Sequence, residues 1–121
     1  MEKKGVLKEK SFNFSIKIVR LVQQLQNEKK EFVLSRQLLR SGTAIGALVS
    51  EAKFGQSDAD FLSKMYIALK EANETTYWIQ LLYSTDYLTK EQYEDIYQDN
   101  KELLAILIAI TKTLKAKIQK K

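Results

Sequence analysis

The groups with which this chain could do chemistry are carboxylates, lysines and tyrosines. Its 121 residues include no His, no Cys and no Pro. Without imidazole there is no Ser-His-Asp triad and no His-ligated metal. Without thiols there is no disulfide frame, thiolate zinc site or Fe–S cluster. The nearest thing to a catalytic constellation is Glu71 and Glu74, three residues apart, with Lys70 beside them and Glu51 elsewhere in the chain. Two carboxylates at that spacing on a helix could hold Mg²⁺ or act as an acid/base pair. The spacing is common on helices. Glu51, Lys70, Glu71 and Glu74 read more simply as a structural ion-pair network that sets register. The expectation is therefore no enzyme, no metal and no cofactor.

The cations are organised more tellingly. Residues 1–40 carry 10 Lys/Arg against 4 acids, residues 41–100 carry 4 against 10, and residues 101–121 carry 6 against 1. Basic ends around an acidic middle suit an anionic partner, or complementary faces that meet between subunits. Three stripes are candidates for phosphate contact: Lys10, Lys17 and Arg20; Arg36 and Arg40, which share a helix face at i, i+4; and Lys112, Lys115 and Lys117. The competing reading is a solvated face with a lysine-rich tail. Arg40 also has a second role open to it, pairing with Glu51, Glu71 or Glu74.

Helices must position these groups. Zero Pro and only four Gly favour uninterrupted helix, and the apolar periodicity agrees. The pattern predicts helices over roughly 11–29, 32–54, 57–86 and 89–118. Ser11 is the expected N-cap of the first and Ser57 that of the third, while Thr89-Lys90-Glu91-Gln92 matches a capping box for the fourth. Phe32 is expected among the apolar contacts of the second helix, and Gly55 at its left-handed end. Gly42 and Gly46, four apart and followed by Ser50, indicate either a close helix–helix approach or a break near Arg40-Ser41-Gly42-Thr43. Tyr93, Ile96, Asn100, Leu103, Leu107, Ile110, Leu114 and Ile118 form a heptad-like seam. Short links make successive helices antiparallel. The fold class is all-α: one domain over 1–121, an antiparallel up-down-up-down four-helix bundle. The apolar stripes of the first, third and fourth helices are wider than one core requires, which points to self-association.

The longest apolar run, Leu103 to Ile110, falls far short of the ~20 residues of a membrane span. The basic N-terminus is followed by no apolar stretch of signal-peptide type. A cytoplasmic protein with no membrane partner is the expectation.

Two segments carry a family resemblance. Gln37-Leu38-Leu39-Arg40-Ser41-Gly42-Thr43-Ala44-Ile45-Gly46-Ala47 with Glu51-Ala52 is one. Asp60-Phe61-Leu62-Ser63-Lys64-Met65-Tyr66-Ile67-Ala68-Leu69-Lys70-Glu71-Ala72 with Glu74-Thr75 and Tyr77-Trp78 is the other. In order and spacing they resemble the 23S rRNA intervening-sequence proteins, also called the four helix bundle protein family, across roughly residues 10–118. The resemblance implies a bacterial bundle that assembles into a barrel-like homopentamer. It also implies a similarity in fold to the accessory variability determinant of diversity-generating retroelements, a basic pentamer that binds nucleic acid and a reverse transcriptase. It supplies no catalytic residues. Leu48 departs from the family pattern, which commonly has Asn there.

The leading expectation is a non-enzymatic oligomeric bundle that binds nucleic acid, RNA or DNA and rRNA above all, through phosphates without sequence readout. The alternative is a protein–protein scaffold that recognises an acidic partner or a reverse-transcriptase-like enzyme.

Overall fold

The computed structural model describes residues 2–52 and 57–120, with side chains from residue 5 onward. Among them the chain forms α1 (Glu2–Glu28), α2 (Leu34–Ala52), α3 (Asp58–Ser84) and α4 (Lys90–Gln119). Each helix packs on its sequence neighbours, and α4 closes the ring against α1, where the packing is sparsest. This is the antiparallel four-helix bundle the periodicity predicts.

The start of α1 corrects the sequence reading. The helix begins nine residues before the expected position, so Ser11 is not an N-cap. It lies mid-helix, 1% exposed, and its hydroxyl donates to the Lys8 carbonyl. The cause is Leu7, which is buried and extends the stripe of Phe14, Ile18, Leu21 and Leu25 by two turns. Burial of one more large apolar side chain outweighs an available cap in setting the helix start.

The start of α2 is a second correction. Phe32 lies before the helix and is exposed. The helix is capped by Glu31, whose Oε1 accepts from the Ser35 N–H at 2.6 Å while Oε2 accepts from the Leu34 and Val33 N–H groups at 3.1 and 3.2 Å. The Ser35 hydroxyl returns a bond to the Glu31 carbonyl at 2.8 Å. Lys30 turns the chain with φ 55°, in the left-handed region. From Leu34 the helix runs unbroken to Ala52, so the break considered near Ser41 does not occur. Gly55, Lys53 and Phe54 lie outside the described residues.

The later boundaries match their signals. Ser57 caps α3 by accepting from the Asp60 N–H, and Thr89 with Gln92 completes a reciprocal capping box on α4. The end of α3 is a Schellman closure: Tyr87 N–H donates to the Leu82 carbonyl and Asp86 N–H to that of Tyr83, with Asp86 at φ 70°.

The core runs the length of the bundle through Ile18, Leu38, Ile45, Met65, Ile79, Leu82, Leu103 and Leu107. Two polar pairs interrupt it. Thr75 donates to the Ser41 hydroxyl at 3.0 Å, joining α3 to α2. Asn100, 1% exposed in the α4 seam, donates through Nδ2 to the Ala72 carbonyl and the Thr76 hydroxyl of α3. Its Oδ1 has no partner among the described residues. A single buried Asn fixes register at a cost in stability. Asn100→Leu is therefore expected to raise the unfolding free energy by about 1 kcal/mol in urea titration. The Ala72 carbonyl keeps a donor in Thr76 Oγ1, so nothing is orphaned by the change. A loss of stability would contradict this account of Asn100.

Candidate nucleic-acid interface

The close approach of α1 and α2 depends on small residues. A Cβ on Gly42 would lie 2.9–3.0 Å from three atoms of Ile18, and one on Gly46 3.0 Å from Ser15 Oγ and 3.1 Å from the Ser11 carbonyl oxygen. Ser50, next on that ridge, is exposed. This packing fixes which way the cations of α1 and α2 point.

Many of those cations turn toward acids of the same chain. Lys10 reaches Glu102 at 2.9 Å, and Lys17 reaches Asp99 at 2.6 Å and Asp95 at 3.1 Å, so the two lysines stitch α1 to α4. They frame a cleft of about 220 Å³ floored by Phe14 and also lined by Asn13. The hydrogen bond to Glu102 holds the Lys10 ammonium above its usual range, and the same bond lowers the Glu102 carboxyl. The bond to Asp99 raises Lys17 likewise.

Across the α2–α3 face, Arg40 bridges Glu71, at 3.3 Å, and Glu74. The indole N–H of Trp78 donates to Glu74 Oε2 at 3.2 Å, and Tyr77 meets Trp78 edge-on at a centroid separation of 5.1 Å. The Trp78 bond, then the Arg40 contact, holds the Glu74 carboxyl below the usual range. Burial works against the Arg40 charge, but its two carboxylates more than restore it. Lys70, grouped with Glu71 and Glu74 by sequence, makes no ion pair with another described side chain; its charge only assists in lowering Glu74. Glu51 pairs instead with Lys64 at 3.5 Å. Lys117 pairs with Asp58 at 3.1 Å, joining the far end of α4 to the start of α3. Among the described residues no three carboxylates converge closely enough to hold a metal ion.

Arg20, Arg36, Lys112 and Lys115 are exposed and make no ion pair with any described side chain. The eight cations that the sequence grouped into stripes thus divide evenly. Lys10, Lys17, Arg40 and Lys117 are tied to acids within the bundle, and the other four face solvent. A sequence signal existed for part of this division: Lys10 and Lys17 are seven residues apart, as are Asp95 and Glu102. Two antiparallel helices bring such rows into register.

Apolar side chains also remain on the surface. Phe12, Ile16 and Val19 line the outer side of α1, with Phe12 65% exposed, and Tyr66, Ile67 and Tyr77 lie on the outer side of α3. On α4, Ile108 is exposed. The wide stripes seen in the sequence therefore extend past the monomer's own core. Tyr83 and Tyr93 stack at 4.2 Å at the α3–α4 turn, half-buried against the core.

Four antiparallel helices closed into a ring, with an ionic α2–α3 face and an ionic α1–α4 seam, define a four-helix bundle protein. The family profile of the 23S rRNA-intervening sequence protein matches residues 3–109, and the chain belongs to that family. It is similar to a crystal structure from Bacteroides thetaiotaomicron described as a protein with unknown function from the S23 ribosomal protein family. The identity is 55%, with 91% of this chain and 98% of that one covered and a TM-score of 0.89. The comparison with curated proteins gives no match. Among the described residues no helix is long and apolar enough to cross a membrane.

Proposed function

We propose that this protein is a non-enzymatic, cytoplasmic bundle that assembles with copies of itself, as a pentameric ring, and binds structured RNA such as rRNA through its phosphates. The observation that carries the reading is the part of the three basic stripes left over once the internal ion pairs are counted: Arg20, Arg36, Lys112 and Lys115 make none with a described side chain. A cation already held by a carboxylate gains little from a phosphate. An unpaired one releases counterions when it meets one. The exposed apolar residues of α1 and α3 support assembly, since heterologous contact between two different faces closes a ring. A ring repeats each weak contact and adds avidity.

Anisotropy titration of a labelled rRNA fragment at low salt tests the binding. Half-saturation at or below about 10 µM is expected, and none in that range overturns the RNA reading. Retention of a protein partner from nuclease-treated lysate, with no RNA binding, favours the scaffold reading instead. Light scattering tests the assembly separately. A mass several times 14.0 kDa is expected at micromolar concentration, and a monomer refutes it.

A further inference from the structure

We infer that the outer face of α4 from Lys101 onward is a docking surface for double-stranded nucleic acid, deepening the reading above and resting on it. Lys101, Lys112 and Lys115 are exposed on the outward side of this helix. At 1.5 Å of rise per residue the row is about 20 Å long, which matches several phosphates along one strand of a duplex. None of the three pairs with another described side chain. The sequence from Leu103 to Lys121 contains no acid. The acid just before it, Glu102, is taken by Lys10, and Lys117 is taken by Asp58 on another side of the helix. The row therefore keeps its charge undiluted, unlike those of α1 and α2.

Its composition selects the form of the nucleic acid. Proteins that hold single strands stack the bases on aromatic rings. Beyond Tyr97, α4 has no aromatic residue, and the row offers only Ala105 and Ile108 between its lysines. A convex helix with a line of flexible cations and no stacking platform matches a paired stem, whose bases are already stacked and whose phosphates lie outermost. It fits an anionic bilayer poorly, because Ile108 is the one large exposed apolar side chain on this part of α4.

The test compares the full chain with Lys112→Gln/Lys115→Gln, using a labelled hairpin stem, the same strand unpaired, and phosphatidylserine vesicles. Circular dichroism checks that the variant remains helical; an Arg20→Ala/Arg36→Ala chain, which removes exposed cations of α1 and α2, is measured beside it. The inference expects the stem to bind more tightly than the single strand. The lysine variant should lose at least about tenfold in stem affinity at 0.1 M salt and show a salt slope shallower by about two. Stem binding unchanged in the lysine variant but lost in the Arg20→Ala/Arg36→Ala chain would overturn this placement while leaving RNA binding intact. Equal or tighter binding to the unpaired strand would overturn the duplex assignment. Binding to vesicles with none to either nucleic acid would overturn both this inference and the RNA reading.

Discussion

Gly42→Ala is expected to lower the unfolding free energy by about 2 kcal/mol, although Ala is worth close to 1 kcal/mol more than Gly in a helix interior. The added Cβ would stand 2.9–3.0 Å from Cγ1, Cδ1 and Cγ2 of Ile18. Ile18 is fully buried and β-branched, so its χ1 has little freedom to yield. The strain must spread into the α1–α2 spacing. Truncating the opposing side chain removes its source. In an Ile18→Ala background, itself costly by about 2–4 kcal/mol through the cavity it leaves, Gly42→Ala should be neutral or stabilising. A double-mutant cycle in urea reads the coupling directly. If Gly42→Ala is stabilising in the native background, the close-approach account of this glycine is wrong.

Glu31→Ala should cost about 2–3 kcal/mol. One side chain satisfies three of the backbone N–H groups at the start of α2, and it is only 9% exposed, so the loss is not made good by water. Its titration follows. Burial pushes the carboxyl up, but the N–H groups of Ser35, Leu34 and Val33 outweigh it and hold the group below the ordinary value of 4.5. A carboxyl depressed in the folded state contributes stability that is complete above its unfolded value and is lost as pH falls through the folded one. Between about pH 5 and pH 3 the native chain should therefore lose more stability than Glu31→Ala does, and the two should converge in acid. Parallel losses over that range would show that the carboxylate is not the cap.

How much was legible depended on whether the signal was local. Ser57 and the Thr89–Gln92 box are complete within four residues, and the structure places both as caps. The α4 seam from Ile96 to Leu114 is periodic and buried. Glu31 was missed because a glutamate three residues ahead of a helix does not match the usual capping pattern, although its side chain reaches forward to the N–H groups of Val33, Leu34 and Ser35. The early start of α1 was missed because Val6 and Leu7 are a short apolar pair in a stretch rich in Lys and Glu, and only the packed bundle shows that Leu7 is buried. The pairings of the cations are tertiary. Lys10 and Lys17 read as a free stripe until α4 lies antiparallel beside them, and Arg40 joins Glu71 and Glu74 only when α2 and α3 are adjacent.

The central claim is that the unpaired cations of this bundle meet nucleic-acid phosphates. The salt dependence of binding by the unmodified protein tests it most directly. Affinity for an rRNA stem, measured from about 0.05 to 0.3 M salt, should fall linearly on log–log axes with a slope of about −2 or steeper. Affinity indifferent to salt over that range would contradict the claim.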